Sequence, residues 1–300
     1  MSSEARAPAR SYLFAPGGSE KLLERVFAAG SDAVVLDLED AVPEGEKDLA
    51  RRLVAERVAG RAGLRGPEVH VRVNAPDSPR VQEDIAAAVH PGLGAIRLPK
   101  AEEPALVQAV SRWIAQAEER RGLAAGSVRL DLTIETARGV ARARELAACD
   151  PRVGRLVFGQ ADFLADVGAE AGPEGLETLY ARSEVVIAAR AAGLLAPLAG
   201  AHARLRDPEG LRRTAQAARR LGFGGMSAIH PEQVPVIHEV FTPTAAEAER
   251  AQELLRAYEE AIAAGFGAAR LPDGRFVDRP IAERARRTVL LFAREQEERA

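Results

Sequence analysis

The stretch DAVVLDLEDAVPEGEKDLARRLVAERVAG (residues 32–60) contains one strand and one helix in succession. AVVLDL (33–38) is a short β-branched apolar run, and EKDLARRLVAERVAG (46–60) repeats its apolar positions at helical spacing before stopping on a glycine. A run buried on both faces, followed by a returning helix, is one step of a parallel sheet. Working outward, the same step recurs at SYLFAP (11–16), EVHVRV (68–73), GAIRLP (94–99), RLDLTI (129–134), GRLVFG (154–159), GLLAPL (193–198) and GMSAIH (225–230). Between these runs lie amphipathic patterns such as EPALVQAVSRWIAQAEERRG (103–122) and PEGLRRTAQAARRLG (208–222). Eight strand-then-helix units predict an α/β fold of the closed (β/α)8 TIM-barrel type rather than an open sheet.

The barrel is expected to occupy residues 1–240. Residues 241–300 read as a C-terminal helical extension: a helix from about 244 to 264, a turn at Asp273-Gly274 between short strand-like runs, and a last helix from Pro280. Such an appendage is expected to pack on a neighbouring subunit of a homo-oligomer.

With 47% hydrophobic and 28% charged residues over 300, the chain has the composition of an ordinary globular protein. A net charge of −3 with interspersed signs excludes a basic stripe for nucleic acid or a polybasic segment for membranes. Small molecules and copies of the chain itself are the expected partners. The single cysteine, Cys149, excludes an intrachain disulfide, and MSSEARAPARS lacks the apolar core of a leader, so a cytoplasmic protein is expected. Lysine occurs only at Lys21, Lys47 and Lys100, against an arginine-rich background.

In a barrel of this type the site lies at the carboxyl ends of the strands. Polar residues gather there: Glu39 and Asp40 after the second strand, Arg72 and Asn74 at the third, Lys100 at the fourth, Glu135 at the fifth and Asp162 beyond the sixth. So many buried carboxylates require a cation. Glu135 and Asp162, on successive strands, suit a hard ion such as Mg²⁺, or else serve as helix caps. Glu39 and Asp40 then hold metal-bound waters, or pair with arginines. Arg72 binds a substrate carboxylate or carbonyl, or neutralises Glu39.

The segments RSYLFAPGGSEK (10–21), DAVVLDLEDAVPEGEKDLAR (32–51), VHVRVNAPDS (69–78), AIRLPKAE (95–102), TIETARGV (133–140), LVFGQADFLADVG (156–168), AIHPEQVPVIHEVFTPTAAEAERA (228–251) and DGRFVDRPIAERAR (273–286) together resemble the citrate lyase beta-subunit-like family of the HpcH/HpaI aldolase superfamily. The resemblance implies a TIM barrel assembled as a trimer or hexamer, with Mg²⁺ as cofactor. The reaction it implies is cleavage or formation of a carbon–carbon bond in a 3-hydroxyacyl-CoA such as malyl-, citramalyl- or citryl-CoA. By motif, Glu135 and Asp162 match the metal ligands, Arg72 the arginine holding the keto-acid product, and Glu39 and Asp40 the acids around the metal's waters. Asp278 matches a C-terminal aspartate that completes a neighbouring subunit's site and is the candidate base for the acyl-CoA α-proton; by position it is equally an N-cap. Arg10 and Lys21 are expected to pair with the phosphates of the CoA thioester, and Lys100 to bind substrate or CoA.

Two positions depart from the family pattern: Ala199 stands where many relatives carry an acid, and Met226 where they carry a lysine. These departures predict an altered acyl carrier or substrate. Three activities follow: a lyase acting on CoA thioesters, a malyl-CoA thioesterase or CoA-independent hydroxy-keto-acid aldolase on the same scaffold, and a non-catalytic homologue that binds metal and CoA.

Overall fold

The computed structural model describes residues 9–172 and 174–299; the N-terminal residues 1–8, on which the no-leader expectation rests, lie outside them. Eight parallel strands close a barrel in the order β1 to β8: Ser11–Pro16, Ala33–Asp37, Glu68–Arg72, Leu93–Leu98, Arg129–Ile134, Val153–Phe158, Leu198–Ala199 and Gly225–Ala228. Closure is made by β8 pairing with β1, with Ser11 opposite Met226 and Leu13 opposite Ala228. Every residue of β2 is buried, as expected of a strand between a filled barrel and a helical shell.

The seventh strand is displaced from its expected place. Residues 193–198 begin as the cap of the helix Leu179–Ala191: Gly193 takes a left-handed φ of 71°, and the Leu194 N–H returns to the Ala189 carbonyl at 3.0 Å. Pro197 has no N–H to offer a ladder, so pairing starts only at Leu198, which faces Val157 and Gly225.

The chain divides into two compact units, Ala9–His238 and a second from Glu239 onward. In the second, the helix Ala245–Ala263 starts at a capping box in which Thr244 and Glu247 satisfy each other's backbone N–H. A two-stranded hairpin, Ala269–Arg270 against Phe276–Val277, turns at Gly274 with φ 87° and leads to the helix Arg279–Arg299. Among the described residues no helix is long and apolar enough to cross a membrane.

Polar groups fill much of the barrel interior. His70, fully buried, lies 3.3 Å from both Glu68 and Asp131 and meets the Tyr12 ring edge-on, while Arg155 donates to the Tyr12 hydroxyl across the barrel. On the shell, Glu118 accepts from Arg152 at 2.8 and 2.9 Å and from the Val128 and Gly126 N–H groups, tying the helix Pro104–Arg120 to the amino ends of β5 and β6. Burial pushes the Glu118 carboxyl up, but Arg152 and the two N–H donors outweigh it and hold the group below its ordinary value.

Glu118→Ala leaves Arg152 buried without its partner and is expected to cost about 3–5 kcal/mol in urea unfolding. Because the folded-state value is the lower one, the contribution of Glu118 is complete above the unfolded carboxyl value of about 4.3 and is lost as pH falls below it. The stability gap between wild type and Glu118→Gln is therefore expected to narrow between pH 6 and pH 3.

Candidate active site at the carboxyl rim of the barrel

The site begins with Asp37, the last residue of β2. Its neighbour in register is Arg72, the last residue of β3, and parallel strands bring the two side chains to one rim. Arg72 Nε and Nη2 donate to the two Asp37 oxygens, each at 2.7 Å, and Arg72 Nη1 lies 2.9 Å from Glu39 Oε2. Asp37 also accepts the Glu39 and Ala41 N–H groups at 3.0 and 3.2 Å, so one carboxylate clamps the arginine and bends the loop that carries the remaining acids. Burial opposes the charge of Arg72, but Asp37, Glu39 and Glu135 overcome it and raise its pKa.

Lys47, at the start of the helix Lys47–Ala59, donates from Nζ to the Leu38 and Glu39 carbonyls and to Asn74 Oδ1, at 2.9, 3.0 and 2.8 Å. Asn74 in turn donates to Asp84, and Asp84 accepts from Arg51. Lys100, after β4, is the one described non-glycine residue with positive φ, at 47°. That left-handed turn directs its N–H to Glu135 Oε1 at 2.7 Å and its Nζ to Glu39 Oε1 at 2.7 Å. A strained backbone here holds two acids at once.

Glu135 directly follows β5 and is buried; its carboxylate lies over Gly159, where an added Cβ would come within 2.4 Å of Oε2. Burial pushes the Glu135 carboxyl up to about 8, with Asp162 and Glu39 adding to the rise and the Lys100 N–H opposing it. Glu39 is raised as well, chiefly by burial, against the pull of Arg72 and Lys100. Asp162 is exposed in the first turn of the helix Gln160–Val167 and lines the same cavity, of about 400 Å³, as Phe14, Asp37, Arg72, Arg97 and Glu135. Among the described residues no group of three or more His, Cys, Asp or Glu side chains forms a metal cage. Two carboxylates with open positions suit Mg²⁺, which keeps several of its waters, and a dication there relieves the like charge that raises Glu135.

The expected residues are thus brought together unevenly. Arg72, Glu39, Glu135 and Asp162 converge, with Asp40 3.8 Å from Lys100 at the edge. The Lys100 ammonium is paired with Glu39. Arg10 is a correction: it precedes β1 at the amino-terminal rim, where its backbone N–H and guanidinium bind Asp32 at 2.7 to 2.9 Å, at the opposite end of the barrel from the acids. Lys21 is exposed on the helix that follows β1. Asp278, in the second unit, caps the last helix by accepting the Ile281 N–H at 3.2 Å.

Ala199 and Met226 are register partners on β7 and β8, and both are buried. Their neighbours Leu198 and Ser227 point inward, the first to Tyr12 and Val157, the second to Arg97. Alternation along the strands therefore turns Ala199 and Met226 to the outer face, behind the site rather than in it.

The fold and the rim thus define a TIM barrel with the buried Glu135, the exposed Asp162 and a clamped arginine at its carboxyl end. The HpcH/HpaI aldolase/citrate lyase family model matches residues 10–231, and the chain belongs to this family. It is 36% identical over 282 residues to the citrate lyase subunit beta of Leuconostoc mesenteroides subsp. cremoris, covering 94% of this chain and 92% of that one. It is 34% identical to the (3S)-malyl-CoA thioesterase of Cereibacter sphaeroides, covering 94% of each. The fold matches the crystal structure of protein CitE from Mycobacterium tuberculosis in complex with magnesium, acetoacetate and coenzyme A, with a TM-score of 0.78, 28% identity, and 96% and 99% of the two chains covered.

Asp37 and Lys47 escaped the sequence reading as site residues. For Asp37 the signal was there: the acid at the strand's inward position is the one that an arginine on the next strand meets. For Lys47 it was a lysine kept in an arginine-rich chain. A planar guanidinium cannot reach three convergent acceptors as a tetrahedral ammonium does. Lys47→Arg is accordingly expected to cost roughly 1–3 kcal/mol of stability in urea unfolding, and the equally charged variant separates geometry from charge.

Proposed function

We propose that this protein is a Mg²⁺-dependent carbon–carbon lyase that cleaves, or in reverse forms, a 3-hydroxyacyl-CoA of the malyl, citramalyl or citryl type, giving an acyl-CoA and an α-keto acid. The observation that carries this reading is the Glu135–Asp162 carboxylate pair opening on the same cavity as Arg72. Family membership and the ligands of the CitE complex support it.

Glu135 and Asp162 hold the ion, with Glu39 and Asp40 as acceptors for its waters. Bound Mg²⁺ supplies Lewis-acid stabilisation of charge on the substrate's hydroxyl or keto oxygen. Arg72, held rigid by Asp37, presents its remaining N–H bonds to that oxygen without reorganising. Phe14, whose ring lies 5.0 Å from the Arg72 guanidinium, walls the cavity on its apolar side. In the bond-forming direction a base must remove the acyl-CoA α-proton, and Asp278 of a second copy in a trimer or hexamer takes that role. Lys21 is the surface cation assigned to the CoA phosphates.

The test is to incubate the protein with Mg²⁺ and malyl-, citramalyl- or citryl-CoA and follow products by mass spectrometry. Acyl-CoA and keto acid are expected only with metal. Glu135→Ala, which removes a metal ligand outright, is expected to lower the rate by more than the roughly 10–100-fold seen for losses around a metal's ligands. Free CoA with an intact hydroxy acid makes the protein a thioesterase, like its Cereibacter relative. Binding without turnover leaves a non-catalytic homologue, and cleavage of CoA-free hydroxy-keto acids alone, untouched by Asp278→Ala, makes it an aldolase.

A further inference from the structure

At the floor of the same cavity lies Arg97, on β4 directly opposite Arg72 in register. The two guanidinium groups differ in how they are met. All three nitrogens of Arg72 face Asp37 or Glu39. Arg97 is 1% exposed, yet its Nε and Nη2 have no hydrogen-bond partner, and Nη1 reaches only the Ser227 hydroxyl at 3.4 Å. Among the described residues no carboxylate pairs with it; the nearest aromatic faces, Tyr12 and Phe14, lie 5.2 and 5.5 Å from its Cζ. The Thr133 hydroxyl, on the same cavity wall, is also buried without a partner. The nearest acid in register, the buried Asp131 on β5, lies 3.3 Å from His70 and makes no ion pair with Arg97; burial, helped by Arg72 and Arg155 and opposed by Asp131 and Tyr12, pulls Arg97 down to about 10. Two free donors of a rigid fork, with a free hydroxyl and a serine alongside, form a receptor for one carboxylate.

We propose that Arg97, Thr133 and Ser227 form a subsite for a second carboxylate on the keto-acid half of the substrate. The enzyme thereby selects dicarboxylic keto acids over monocarboxylic ones. This inference rests on the lyase reading for its place in the reaction, and it sets the citryl class, whose keto acid has two carboxylates, above the citramalyl and malyl classes, whose keto acids have one. With Arg72 divided between the rim acids and the reacting oxygen, Arg97 is the guanidinium left to read the distal end of the substrate.

Binding of malate and lactate separates the claims, because these stable 2-hydroxy acids differ by a single carboxylate. In isothermal titration calorimetry with Mg²⁺ present, malate is expected to bind about tenfold or more tightly than lactate, as one charge-assisted contact supplies. Arg97→Met, close in volume, is expected to bring malate to the level of lactate while leaving lactate unchanged. Thr133→Val, which keeps the buried charge and the side-chain shape, is expected to weaken malate alone by a few-fold, and it decides the matter if Arg97→Met fails to fold. Equal binding of the two acids, no binding of malate, or a variant that weakens both acids equally overturns the subsite. Malate selectivity that depends on Arg97, in a protein that cleaves none of the three CoA thioesters, sinks the lyase reading and leaves the subsite standing.

Discussion

The Arg72–Asp37 pair is the contact on which the rim is built. Asp37 is 0% exposed and sits where a strand ends, so its carboxylate must be paired in place or not be there at all. By accepting two N–H bonds from the loop beyond it and two from Arg72, it satisfies nearly all of its acceptor capacity with groups whose positions follow from the backbone. The loop is then obliged to carry Glu39 toward Lys100 and Arg72. A buried pair of this kind contributes little net stability against an apolar replacement, but it fixes geometry.

Around that pair the charges form a sequence in depth. At the bottom, Arg10 and Asp32 close the amino rim with His238 3.3 Å from Asp32. Higher up, His70, Asp131, Tyr12 and Arg155 share contacts across the barrel. Arg97 follows with donors unmet, and above it lie the acids, of which Glu135 is the one pushed up to about 8. Cationic donors left open below and carboxylates crowded above give the cavity opposite polarity at its floor and at its mouth. Neither end is balanced by the protein alone.

Much of the fold was legible because each barrel strand is an apolar run between turn residues, and strands and helices differ in period. The seventh strand was not, because Leu198 and Ala199 pair for only two residues and the apolar residues before them belong to a helix cap. Arg72, Glu39, Glu135 and Asp162 were legible as a group from the parallel direction of the strands, which sends every strand's C-terminal neighbour to one rim. The same rule places Arg10, which precedes β1, at the other rim. Lys47 and Arg97 were hidden for a different reason: a helical lysine and a strand arginine look alike in sequence whether their donors are engaged or free, and only the positions of their acceptors distinguish them.

Ala199 and Met226 show how a change of charge can leave a site intact. They face each other in register, so an acid and a lysine at these two positions would be neighbours and would neutralise one another behind the sheet. Losing one alone would strand a charge among the buried residues between strand and helix. An alanine facing a methionine there leaves no buried charge without a partner. Their place on the outer face makes both residues part of the packing of the barrel wall. The cavity on the inner face retains Glu135, Asp162 and Arg72, and the residue that distinguishes its floor is Arg97.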